Sequence, residues 1–139
     1  MVYSNTYIKN HNNKDIDINN ESLKFINNRD TLRISDFNEE ELSFVYSKEG
    51  EKLLIKLIKL YKKNSIEVNF IFTPLSFEKI NDINNLRKAI LLEKVFRKIA
   101  IKENIKTYGS LFPNEIACNS SEFYDSMHAQ TKCLKKIFQ

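Results

Sequence analysis

The feature that most constrains the fold is a repeated change of hydrophobic period in the middle of the chain. Apolar residues recur at helical spacing over 53–61, stand at every second position over 66–72 in a β-rich run, and return to helical spacing over 82–104. A second short β-rich run follows at 105–108. The pattern predicts a helix, a strand, a longer helix and a second strand in that order.

A last segment, 126–138, has its apolar residues on one side and predicts a closing helix. Strands separated by helices favour parallel pairing through right-handed crossovers, with helices covering the sheet. We therefore expect an α/β fold: a small three-layer arrangement with a short, mostly parallel sheet flanked by helices, and the strand at 66–73 in its interior. Ligands of such sheets bind beyond the carboxyl ends of the strands, which are the loops at 74–81 and 109–127.

The length of 139 residues fits one domain with one core. Residues 1–36 are polar and rich in Asn, with no sustained apolar period, and predict a poorly ordered N-terminal segment. Residues 37–139 are expected to form a single α/β domain. At its start, Asp36 and Glu39 have the spacing of a capping box for a short helix before Gly50.

The charge pattern argues against a nucleic-acid interface. The formal charge of +4 arises from 22 basic residues scattered among 18 acidic ones, whereas such an interface gathers its cations on one face. Only a clustering of basic side chains onto one surface would favour it, namely those of Lys52, Lys56, Lys59, Lys63 and Arg87. No apolar run is long enough for a membrane span, and the first 20 residues lack the core of a signal peptide, so a cytoplasmic protein is expected.

The two cysteines, Cys118 and Cys133, do not make a disulfide framework in a chain of this length and are expected to be buried thiols. Together with Asp125 and His128 they offer zinc-binding atom types, but their spacing matches no zinc pattern. No metal and no organic cofactor is expected.

The residues that carry chemistry lie after the last predicted strand, in the segments 108–115 and 122–129. Asp125 and His128 are three residues apart at an expected helix start, where both side chains can project to the same side. A carboxylate can then orient an imidazole, fix its tautomer and stabilise its protonated form. The pair is suited to removing the proton of a hydroxyl nucleophile.

Asp125-Ser126-Met127-His128 resembles the final Asp-x-x-His block of the SGNH, or GDSL-like, hydrolases, in particular the branch related to cell-envelope O-acyltransferases. The resemblance covers roughly residues 50–139, including the loop that begins Tyr108-Gly109-Ser110. It implies a partial flavodoxin-like sheet, with His128 as the general base and Asp125 as its orienting partner. The resemblance implies no metal and no organic cofactor.

The family also uses a serine in a glycine-containing turn after its first strand, and this sequence has no such turn. The serines of residues 1–50 follow no apolar strand and glycine, and Ser4 beside Asn5 is the least unsuitable of them. We therefore expect an SGNH-like protein that retains the Asp-x-x-His block and is inactive alone as an ester hydrolase or acyltransferase. If it is active, its chemistry is serine-dependent, and a complementing chain could supply the nucleophile.

Two other interpretations stay open: a non-catalytic α/β interaction domain, and an accidental resemblance in a small basic domain that binds a nucleic acid or an acidic protein. An Asp-x-x-His spacing also arises when an aspartate caps a helix, and the chain would then be a non-catalytic α/β interaction domain. A sheet without its leading strands exposes unpaired backbone, which favours a homo-oligomer or pairing with another chain. A serine hydroxyl within hydrogen-bond reach of His128 would distinguish catalysis from binding.

Overall fold

The computed structural model describes residues 17–45 and 47–139, and it is an α/β structure in which helices flank a short parallel sheet. The helices and strands run in the order α1 (Asn20–Asn27), α2 (Glu39–Val45), α3 (Lys48–Lys63), β1 (Asn69–Phe72), α4 (Phe77–Ile80), α5 (Ile83–Glu103), β2 (Lys106–Gly109) and α6 (Thr131–Leu134). Single 3₁₀ turns lie at Arg29–Thr31, Ile34–Asp36, Pro113–Ile116, Ser120–Glu122 and Lys135–Phe138. The predicted alternation of helix and strand is confirmed.

β1 and β2 pair in parallel, with Asn69 opposite Lys106 and Phe72 opposite Gly109. Along β1, Phe72 is buried and Ile71 is 54% exposed, as the alternating sequence predicts. In the described part of the chain β1 has β2 as its one neighbour, so the prediction of an interior strand is wrong. The outer edge of β1 therefore carries backbone groups without a strand partner among these residues.

The long helix α5 organises the core. Asp82 caps it by accepting a hydrogen bond from the backbone N–H of Asn85. The helix contacts α1, α2, α3, α4 and β2, and its buried apolar residues include Leu86, Ile90 and Ile99. Because it packs against elements on several sides, its apolar stripe is wider than that of a surface helix.

Residues 17–36 differ from the poorly ordered segment that the sequence predicts. Ile26 of α1 is fully buried, and α1 contacts α5. The side chain of Asn81 accepts a hydrogen bond from the Asn19 backbone at 2.9 Å, and Arg29 forms an ion pair with Glu115 at 2.5 Å. A few well-placed apolar and amide side chains thus anchor a mostly polar stretch. Residues 1–16, with Ser4 and His11, lie outside the described residues.

The start of α2 also differs from the prediction. Asn38 and Glu41 form the reciprocal capping bonds, with the Glu41 N–H on the Asn38 side chain and the Asn38 N–H on the Glu41 carboxylate. Asp36 accepts from the backbone N–H of Arg33 in the preceding turn. Farther along, α3 begins at Lys48 behind a Ser47 cap, so Gly50 lies inside its first turn. Among the described residues, no helix combines the length and hydropathy that a membrane span requires.

Candidate functional site

Two loops meet beyond the carboxyl ends of the strands. The backbone N–H of Ser76, after β1, donates to the carbonyl of Ser126 at 3.3 Å, and the rings of Phe77 and Phe123 meet edge to face at 6.2 Å. The backbone N–H of Leu75 donates to the carbonyl of Leu111 at 3.0 Å, and this bond links the loop after β1 to the loop after β2. The segment that contains Asp125 and His128 therefore lies at the edge of the sheet where the sequence predicts a site.

This segment is a closed loop and not the helix start that its sequence predicts. Phe123 and Ala129 form an isolated antiparallel bridge, and the Tyr124 N–H donates to the His128 carbonyl at 2.8 Å. Inside the loop, Asp125 Oδ1 accepts from the backbone N–H groups of Met127 at 2.7 Å and His128 at 2.8 Å. These bonds make an Asx-type turn, and the closing helix α6 begins only at Thr131.

The same turn places the imidazole of His128 against the carboxylate of Asp125. His128 Nδ1 lies 2.7 Å from Asp125 Oδ2 and 2.9 Å from Oδ1, so the predicted hydrogen bond is present. A carboxylate accepts, so Nδ1 is the protonated nitrogen of the neutral ring and Nε2 keeps a free lone pair. The side chain of His128 is 74% exposed, which leaves it accessible to an approaching hydroxyl.

Hydrogen bonding also keeps Asp125 ionised. The backbone N–H of Met127 makes the largest contribution and the His128 side chain the next, and together they hold the pKa of Asp125 below its ordinary value. The carboxylate is thus negative at neutral pH. It can orient the imidazole and stabilise a proton that the imidazole takes up.

A buried ion pair between Glu122 and Lys136 lies next to this loop. Glu122 is 2% exposed and accepts from Lys136 Nζ at 2.8 Å and from the Asn119 N–H at 3.1 Å. Burial acts to raise the pKa of Glu122, but these hydrogen bonds outweigh it and lower the pKa. The Asn-x-x-Glu capping spacing was the available signal for this carboxylate, which the sequence analysis missed.

Cys118 and Cys133 form a disulfide, so the expectation of two buried thiols is wrong. The bond fastens the start of the loop region to α6. One carboxylate oxygen of Glu122 and the two sulfur atoms lie within 4.8 Å of one another. Sulfur atoms joined in a disulfide are not thiolate ligands, and the carboxylate is already occupied by lysine, so this group does not make a metal site.

The described residues provide no serine hydroxyl that hydrogen-bonds His128. Ser110, in the loop after β2, is 2% exposed and donates instead to the buried carboxylate of Glu93 at 3.1 Å. Ser22 is buried at the start of α1. The segment therefore brings together the side chains of His128 and Asp125, and residues 17–45 and 47–139 place no serine hydroxyl within hydrogen-bond distance of His128.

Arg87 does not join the α3 lysines in a free basic surface. Its guanidinium pairs with Glu41 at 2.5 Å and lies over the ring of Phe37 at 5.1 Å. These contacts hold Arg87 within the fold, and they give no support to a nucleic-acid surface that combines it with lysines of α3.

Comparison with protein-family models, with curated proteins and with solved structures finds no significant match to this chain.

Proposed function

We propose that this chain carries the acid–base half of an SGNH-type acyl-transfer site, with His128 as the general base and Asp125 as its orienting partner. The observation that supports this best is the 2.7 Å contact between His128 Nδ1 and Asp125 Oδ2 in a loop beyond the carboxyl ends of the two strands. That contact leaves Nε2 free to accept a proton.

The proposed chemistry is ester hydrolysis or O-acyl transfer through a serine. His128 Nε2 takes the proton of the serine hydroxyl as its oxygen attacks the acyl carbon. Asp125 stabilises the resulting imidazolium. The proton then passes to the oxygen of the departing alcohol, which leaves an acyl-serine for attack by water or by an acceptor hydroxyl.

The nucleophile is proposed to come from another polypeptide. The described residues lack a serine bonded to His128, and the short sheet is open at the outer edge of β1. In the partial flavodoxin-like arrangement that the resemblance implies, this edge is where further strands would pair. A complementing chain that adds a strand there could bring a serine to the same side of the sheet.

Hydrolysis of p-nitrophenyl acetate tests the role of His128. We expect the wild type to release p-nitrophenol above the buffer rate without a burst, because an oriented imidazole accelerates ester cleavage but no serine accumulates as an acyl-enzyme. His128→Ala should lose most of this excess rate, and His11→Ala, which removes the only other histidine, should keep it. An unchanged rate in His128→Ala contradicts the assignment of the base.

A burst in the wild type that equals the protein concentration would contradict the second part of the proposal, the external nucleophile. It would show that a hydroxyl or amine of this chain becomes acylated. Mass spectrometry of the stopped reaction would then locate the acetyl group, and acetylation of a serine would identify a complete site within the chain.

A second candidate function is a non-catalytic interaction domain that associates with itself. It is favoured by apolar side chains on the exposed surface of α3 and β1, where Leu53 is 66% exposed, Leu60 54% and Ile71 54%. Sedimentation velocity distinguishes the two candidates: a dimer that Leu53→Lys/Leu60→Lys dissociates supports self-association, whereas a monomer across the micromolar range contradicts it.

A further inference from the structure

A groove separate from the Asp125–His128 loop runs along α5. It lies between that helix and the two 3₁₀ turns at Arg29–Thr31 and Pro113–Ile116, and it encloses about 710 Å³. Volumes of several hundred cubic ångströms are typical of small-molecule sites.

Two of the carboxylates that line the groove are already neutralised by partners. Glu93, 4% exposed, accepts from Arg97 Nε at 2.8 Å and from the Leu111 N–H at 2.7 Å. Glu115 pairs with Arg29 at 2.5 Å. The charge of the ligand that the groove attracts therefore depends on the lining side chains that are not in these ion pairs.

The charged lining side chains outside these ion pairs are three lysines and one aspartate. Lys94, Lys98 and Lys102 are spaced four residues apart, so they follow one face of α5 over about 12 Å. Within the described ranges, no carboxylate lies within ion-pair distance of any of the three, and Asp30 is the one further acidic lining residue. Three cations against one carboxylate favour an anionic ligand.

The groove also offers apolar surface. Phe112 and Ile90 are buried in its wall, and the guanidinium of Arg29 lies 5.2 Å from the centre of the Phe112 ring. Ile101 lines the same groove and is 83% exposed, although it is a large aliphatic side chain. An apolar group that covered Ile101 would remove this surface from water.

We propose that this groove binds a small organic phosphate. Its phosphate would lie among Lys94, Lys98 and Lys102, whose ammonium groups bind phosphate as point charges. Its apolar body would cover the exposed side chain of Ile101, since the Phe112 ring is fully buried with Arg29 over it. The site needs both parts of the ligand, because the three lysines and the exposed Ile101 line one groove. It does not depend on the acyl-transfer proposal.

Amide chemical-shift titration of the ¹⁵N-labelled chain with hexyl phosphate tests this proposal. Inorganic phosphate and hexanol serve as probes of each half alone. We expect hexyl phosphate to shift the amides of Ile101, Lys102 and Glu115, and to bind at least about tenfold more tightly than either probe, which corresponds to 1.4 kcal/mol. Equal affinity for inorganic phosphate and hexyl phosphate would overturn the proposal.

Charge reversal within the groove provides the matched control. Lys98→Glu/Lys102→Glu replaces two exposed side chains and should weaken hexyl phosphate binding by about tenfold or more. Lys56→Glu/Lys59→Glu on α3 changes the net charge by the same amount outside the groove and should leave the affinity unchanged. Equal weakening by both variants would mean that only the overall charge attracts the ligand, and the groove site would be wrong. The circular dichroism of each variant confirms that it is folded.

Discussion

The disulfide between Cys118 and Cys133 closes the segment that carries both Asp125 and His128. Both sulfur-bearing residues are buried, at 5% and 0% exposure, whereas the two side chains of the proposed dyad face solvent. A covalent link with a sequence separation of 15 thus holds the exposed loop of Asp125 and His128 to buried residues. Disulfides persist in oxidising compartments, and the cytoplasmic location expected from the sequence remains a prediction.

Removing this link should destabilise the fold. We expect Cys118→Ser/Cys133→Ser to lower the free energy of unfolding by about 3 kcal/mol, because a closed loop of about 15 residues restricts the unfolded chain by that amount. Urea denaturation measures the change. Reductant should shift the wild type by a similar amount and leave the double variant unaffected. A wild-type midpoint insensitive to complete reduction would contradict this role.

The ion pair of Glu41 and Arg87 should make stability depend on acid pH. The Arg87 hydrogen bond is the largest cause that lowers the pKa of Glu41 from its ordinary value of 4.5. A lowered pKa means that the stabilisation is complete above the ordinary value and is lost as the pH falls through the folded-state value. The pair therefore stabilises the protein at neutral pH and ceases to do so in acid.

We expect Glu41→Gln to lower the free energy of unfolding by about 2 kcal/mol at neutral pH, because it removes a charge-assisted bond from a buried site. The difference from wild type should shrink as the pH falls below 4.5. Urea unfolding at several pH values measures both effects. Glu67→Gln is the control. Glu67 pairs with Lys106 at the solvent-exposed surface, so this variant should change the free energy of unfolding little. A stability difference between Glu41→Gln and wild type that does not change with pH would contradict an electrostatic role of the Glu41–Arg87 pair.

Replacing each of the two glycines by alanine should change the free energy of unfolding in opposite directions. Gly109, at the end of β2, has φ +74°, and an added Cβ would collide with the carbonyl oxygen of Phe72 on β1. Gly50 lies in the first turn of α3, where the nearest atom to an added Cβ is 3.5 Å away. Gly109→Ala should lower the free energy of unfolding by at least about 2 kcal/mol, whereas Gly50→Ala should raise it by about 0.5 kcal/mol. Thermal unfolding measures both, and a neutral Gly109→Ala would contradict the described pairing of β1 with β2.

The sequence predicted the elements whose signals are long or strongly periodic. α5 is a 21-residue helix with an aspartate cap and a wide apolar stripe, and β1 lies in a β-rich run with apolar residues at every second position before Pro74. The start of α2 was predicted two residues too early, because Asp36 with Glu39 and Asn38 with Glu41 have the same capping spacing. Tertiary packing, which the sequence does not display, selects between them.

For a similar physical reason, the contact between Asp125 and His128 was predicted but the local backbone structure around it was not. An aspartate that caps a helix and one that forms an Asx turn both accept from the backbone two and three residues ahead. Asp125 does this in a closed loop, so its partner His128 was identified while the local structure was not. The disulfide depends on distance between residues far apart in sequence, and the α5 groove depends on turns that α1 and β2 lead into; neither is visible in local spacing.

In the proposed site, Asp125 fixes which nitrogen of the His128 imidazole carries the proton. Long-range ¹H–¹⁵N NMR of the imidazole at neutral pH measures which nitrogen carries the proton. We predict the Nδ1–H tautomer in the wild type and a shift toward the Nε2–H tautomer in Asp125→Asn, which can still accept from the Met127 N–H but has lost the carboxylate. The same tautomer populations in both proteins would contradict the proposal that Asp125 orients a catalytic base.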